Sequence, residues 1–91
     1  MDSHISTPAA INRAARALAI AETPVPQFPD TESALAFGAR MSRLQRDAAQ
    51  VERLQIEAQF AVTEDLETRM HLALRSQLLR EAMQAYEEGR S

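Results

Sequence analysis

Between Gly38 and Gly89 the chain runs for fifty residues without a glycine or a proline. Ala, Leu, Glu, Gln and Arg dominate that stretch. All are strong helix formers, and no residue in it breaks a helix through its own backbone chemistry. An all-α chain is therefore the expectation. Apolar residues recur at alternating steps of four and three through Phe37, Met41, Leu44, Ala48, Val51, Gln55, Ala58 and Val62, a coiled-coil-like seam with one polar position. The pattern predicts a helix over about 31–62, capped by Asp30 or Thr31 and carrying Glu32 in its first turn, where the helix dipole favours an acid.

Continued in register, the seam meets Asp65 and Arg69 and resumes at Leu72, Leu79, Met83 and Tyr86. Thr63-Glu64-Asp65 reads as a fresh helix start, with Glu67 adding to the acidic first turn. A tight turn near residues 61–64 accounts for both facts. It gives a second helix over about 64–88, stopped by Gly89, and a helical hairpin with antiparallel coiled-coil-like packing over residues 30–91. One continuous helix over 31–88 is the alternative, because no glycine or proline marks the turn.

Residues 1–29 form a lighter N-terminal arm. Thr7-Pro8 pairs an N-cap with the residue best tolerated at the first helical position, so a short helix is expected over about 8–22, with Ile11 and Leu18 on one face. Residues 23–29, TPVPQFP, hold three prolines and read as a stiff extended linker. Pro26 and Pro29, with Phe28 between them, also have the spacing of a polyproline ligand; the plainer reading folds Phe28 onto a neighbouring helix.

The helix over 64–88 carries two apolar stripes. Leu66, Met70, Ala73, Leu74 and Leu78 make one; Leu72, Leu79, Met83 and Tyr86 make the other. One partner helix cannot cover so wide an arc, and an apolar patch beyond what the chain itself can cover is the usual mark of an interface. Seventeen of the 91 residues are alanine, so the core has few large side chains, and association is an expected source of stability. The residues expected at the interface are Phe37, Met41, Leu44, Val51 and Val62 on one helix and Leu72, Leu79, Met83 and Tyr86 on the other.

Chemistry-bearing patterns are sparse. His71 follows Glu67 by four residues, but two ligands do not close a metal site, and an ordinary pair within the helix explains them. The carboxylates Glu64, Asp65 and Glu67 stand where capping already favours acids. No glycine-rich loop or nucleophile elbow occurs, so no cofactor, metal or small-molecule substrate is expected, and an enzyme is the least supported class. Arg43, Arg46 and Arg53 share a helix face and could follow phosphates; against this stand a net charge of −3, the absence of lysine and local acids four residues away, as in Arg43 with Asp47 and Arg53 with Glu57. With no cysteine and no long apolar run, neither an oxidising compartment nor a membrane span is indicated, and a cytoplasmic location is the expectation. Arginine without lysine beside abundant alanine is the usage of a GC-rich, bacterial genome.

The expected function is a non-enzymatic helical protein–protein interaction module, an adaptor, small chaperone or assembly subunit that self-associates or binds a partner through apolar helix faces. Two alternatives are a structural subunit of a larger bacterial assembly, such as a secretion apparatus or phage particle, and a small nucleic-acid-binding regulator using the arginine stripe. The layout of N-terminal arm, linker and paired helices is similar in outline to the small rod and needle subunits of type III secretion, a likeness of architecture that no motif carries.

Overall fold

The computed structural model describes residues 7–90, and among these it is all-helical, with no strand. Four helices follow in order: α1 (Pro8–Glu22), α2 (Thr31–Arg40), α3 (Arg43–Val62) and α4 (Leu66–Glu88). Each start carries a side-chain cap. Thr7 Oγ1 accepts from the Ala10 amide at 3.1 Å. Asp30 accepts from the Ser33 amide at 2.8 Å, and Asp65 from the Thr68 amide at 2.9 Å. These bonds satisfy donors that the first helical turn leaves without a partner.

The seam over 31–62 predicted one helix, and the structure corrects it to two. Met41 and Ser42 are both extended, and Ser42 opens α3 with a complete capping box: the Gln45 amide donates to Ser42 Oγ at 3.1 Å and the Ser42 amide to Gln45 Oε1 at 2.8 Å. Ser-x-x-Gln is a start signal legible in the sequence, and the four-three spacing runs straight through it. The seam consequently does not form one face. Met41 is buried, Phe37 and Leu44 are half-buried, and Val51 and Val62 are exposed. The chain does break at 63–65, where Thr63 is extended and α4 begins on Asp65, so a continuous helix over 31–88 is not formed.

What α2 gains from the break is a close crossing with α4. Ala34 and Gly38 stand one turn apart on α2, both buried, and a Cβ placed on Gly38 would lie 2.0 Å from the Ala82 carbonyl oxygen. Only glycine allows that approach. The crossing organises the core: Phe28, Ala34, Met41, Ala49, Ile56, Leu78, Leu79, Ala82 and Tyr86 form one cluster, with Val25, Phe37, Leu72 and Met83 packed against it. The linker belongs to this cluster, because Phe28 is buried with its ring 5.5 Å from that of Phe37. The plainer reading of the linker, with Phe28 folded onto a neighbouring helix, is the one formed, and Phe28 is not displayed as in a polyproline ligand.

Packing is uneven along the molecule. The ten residues of α2 span about 15 Å and the twenty-three of α4 about 35 Å, so α2 covers only the C-terminal half of α4. The radius of gyration is 16.1 Å, against about 12 Å for a compact chain of this length. Helix α1 has no buried residue and leaves an open cleft of about 540 Å³ against α3, lined by small and branched side chains such as Ala17, Ala21, Ala48 and Val51.

Replacing Gly38 tests the crossing. Gly38→Ala should gain about 1 kcal/mol of helix propensity yet lose about 1–3 kcal/mol net through the clash with the Ala82 backbone. Urea denaturation would measure it, and an unchanged or raised midpoint would contradict the close approach.

Candidate interaction surface

Four side chains define the surface. Val62, Leu66, Met70 and Leu74 are 79, 71, 62 and 58 % exposed, at successive steps of four across the end of α3 and the first half of α4. Ala58 and Leu54, one and two turns before Val62 on α3, are exposed as well. On α4 the exposed positions Leu66, Met70, Ala73 and Leu74 are apolar, flanked by exposed Glu67, Thr68 and His71, whereas the later exposed ones, Gln77, Arg80, Gln84, Glu87 and Glu88, are polar or charged. The apolar character stops where α2 begins to cover the opposite side.

This distribution reverses the expected roles of the two α4 stripes. Leu79 is fully buried and Tyr86 nearly so, with Leu72 and Met83 half-buried beside them, so the stripe proposed from sequence as uncovered is closed by the chain's own core. The surplus stripe exists, but it is Leu66, Met70 and Leu74. Sequence periodicity detects both stripes; which of them is covered depends on where α2 crosses.

Two arginines brace the surface. Arg69 Nη1 donates to the carbonyl oxygens of Phe60 at 3.2 Å and Thr63 at 2.9 Å, and its guanidinium lies 4.0 Å from the centre of the Phe60 ring. It therefore caps the carbonyl end of α3 and sets the entry to α4. Arg75, 11 % exposed, gives Nε and Nη2 to the two Glu52 carboxylate oxygens at 2.8 and 3.1 Å. It also donates to the carbonyl oxygens of Pro26 at 2.8 Å and Val25 at 3.2 Å, and lies 5.2 Å from the Phe28 ring centre. One guanidinium thus ties the linker, α3 and α4 together. The sequence reading does not identify either role: the partners of Arg75 lie 23 to 50 positions away, and Arg69 caps backbone carbonyls across the turn, which leaves no side-chain pattern.

Beside the exposed stripe, Ile56, Phe60, Leu72 and Ala73 line a shallow groove of about 210 Å³ between α3 and α4, with Glu57 and Arg80 at its edges. Arg80 and Ala82 are two positions apart on one helix and so point to opposite faces, which puts the groove away from the α2 crossing at Ala82.

The arginine face of α3 is largely committed to local pairs. Arg53 pairs with Glu57, as its spacing predicts, and Arg46 reaches Asp47 at 3.2 Å and Glu87 at 3.3 Å. Asp47, expected beside Arg43, is held by Arg16 and Arg46 instead. Of the three candidate phosphate contacts, Arg43 alone has no ion pair among the described residues. Among those residues, also, no three His, Asp or Glu side chains gather as a metal-binding group, and no helix is long and apolar enough to cross a membrane. The chain matches no known protein family, and no characterised protein or solved structure is significantly similar to it.

Two predictions follow from the caps and clamps. Hydrogen bonds from the Thr68 hydroxyl and amide hold the Asp65 carboxyl below its usual range, and those from the Ser33 amide and hydroxyl do the same for Asp30. A lowered folded-state pKa means stability that is present above the unfolded value of 3.8 and lost as pH falls through the folded pKa. The Asp65→Asn variant should therefore show a smaller drop in urea midpoint between pH 5 and pH 2 than the parent. Arg75→Ala, which leaves Glu52 and two linker carbonyls without their donor, should cost about 2–4 kcal/mol and release the linker, with hydrogen exchange at residues 25–28 rising first.

Proposed function

We propose that this chain is a non-enzymatic helical interaction module, in which α3 and α4 act as a helical hairpin presenting an apolar end to another protein. The observation that carries the reading is the exposed stripe Val62, Leu66, Met70 and Leu74 on the same helical framework that buries Leu78, Leu79 and Tyr86. Adjacent groups of large apolar side chains left in water at one end of a well-capped helix pair are the mark of a contact surface. The hairpin itself is supported by the Arg75–Glu52 pair, whose members lie equally far from the 63–64 junction, and by the Arg69 cap. The elongated shape, 51 Å in its longest dimension, supports a second reading as a structural subunit of a larger assembly.

A photo-crosslinking residue at Met70, in the full chain expressed in its native cell, tests this. A discrete adduct is expected from Met70 and none from Gln84, which lies on the polar part of the same helix. The triple variant Leu66→Ser, Met70→Ser, Leu74→Ser should lose adducts formed through a probe at Val62 while keeping its helicity, because exposed substitutions typically change stability by within about 0.5 kcal/mol each. An adduct-free Met70, or a triple variant that unfolds, would overturn the reading.

A further inference from the structure

We infer that the apolar face of the first half of α4 receives a basic amphipathic helix of another protein, an assignment that rests on the interaction reading above. The argument is electrostatic. The face is ringed by acids at its N-terminal end, Glu64, Asp65 and Glu67, all exposed. Of the two arginines beside the face, Arg69 spends its donors on the Phe60 and Thr63 carbonyls and its face on the Phe60 ring, and Arg80 stands at the far, C-terminal end, away from the acids. Glu57, next along α3, is neutralised by Arg53. The apolar side chains therefore sit beside three carboxylates that no arginine pairs with among the described residues.

This pattern selects among occupants. A second copy laid parallel on the same face would bring its own Glu64, Asp65 and Glu67 toward those already there, and one laid antiparallel about Met70 would set them against the uncharged Ala73, Ser76 and Gln77, in a chain whose net charge is −3. Like charges brought together on desolvation oppose the first contact, and the second offers the carboxylates no opposite charge. The chain's own α1 offers only Ile11 and Leu18 as large outward residues, and its Arg16 is committed to Asp47. A helix with lysines or arginines flanking a leucine-rich stripe meets both demands. Its apolar anchors, one turn apart, fit against Leu66, Met70 and Leu74, and its cations face the carboxylates. The groove at Phe60 and Ala73 runs beside the same stripe and can take one larger apolar side chain.

The test uses the full chain and a synthetic amphipathic helix of leucine and lysine, about 18 residues long so that it can fold on contact. Two controls are a leucine–glutamate counterpart and a scrambled leucine–lysine peptide of the same composition. Fluorescence anisotropy should show binding of the leucine–lysine helix and none of the leucine–glutamate one. The Leu66→Ser, Met70→Ser, Leu74→Ser variant should weaken it at least tenfold. The Glu64→Gln, Glu67→Gln pair, which spares the Asp65 cap, should weaken it about threefold to tenfold at low salt and much less at about 1 M salt, where the screening length is about 3 Å. Equal binding of the scrambled peptide, or affinity unchanged in the serine variant, would overturn the inference. So would a parent chain that is dimeric by light scattering and becomes monomeric on Leu74→Ser. A Met70 adduct to a second copy or to an acidic protein would also overturn it, while leaving the broader interaction reading in place.

Discussion

The architecture hangs on the contact between Gly38 of α2 and the backbone of Ala82 in α4, where no Cβ fits. A helix pair brought this close buries the flanking small residue Ala34 completely and places Phe37 and Met41 against the large side chains of α4. It also explains why a chain with the periodicity of one long helix is broken at residues 41–42. A straight helix over 31–62 would carry Gly38 along the α3 axis, and the crossing could not form. The capping box of Ser42 and Gln45 satisfies the backbone groups that the break exposes, so the interruption costs little locally and gains a core.

A core so rich in alanine needs cross-links other than large side chains, and arginine supplies them. Arg75 joins the linker, α3 and α4 through one half-buried fork. Arg69 closes the end of α3, and Arg46 reaches the last turn of α4 through Glu87. The planar guanidinium suits this use, since it can donate in several directions while stacking on a ring, as it does over Phe28 and Phe60. With Arg46, Arg53, Arg69 and Arg75 engaged within the chain, no arginine pairs with the acids at the start of α4 among the described residues, and its apolar end has an acidic border.

The shortness of α2 leaves one end of α4 open. Had α2 run the length of α4, a three-helix core could have closed the molecule at both ends. Because it stops after ten residues, the half of α4 beyond the crossing has one neighbouring helix where the other half has two. Its outer side chains stay in water. The proposed interaction surface is therefore the part of α4 that the chain has no further helix to cover.

Local chemistry by itself determined the helical class, the caps at Thr7 and Asp30, the interruption at 63–65 and the stop at Gly89, since each depends on residues within one turn of one another. The Ser42 start was equally local and was hidden only by a periodicity that ran through it. Three features were decided by tertiary structure alone: the burial of Phe28, the clamp at Arg75, and the choice of which α4 stripe faces water. Leu79 and Tyr86 are no more apolar as a pattern than Leu66, Met70 and Leu74. What separates them is the position of a glycine more than forty residues earlier in the chain, because a close helix crossing couples residues that no helical period connects.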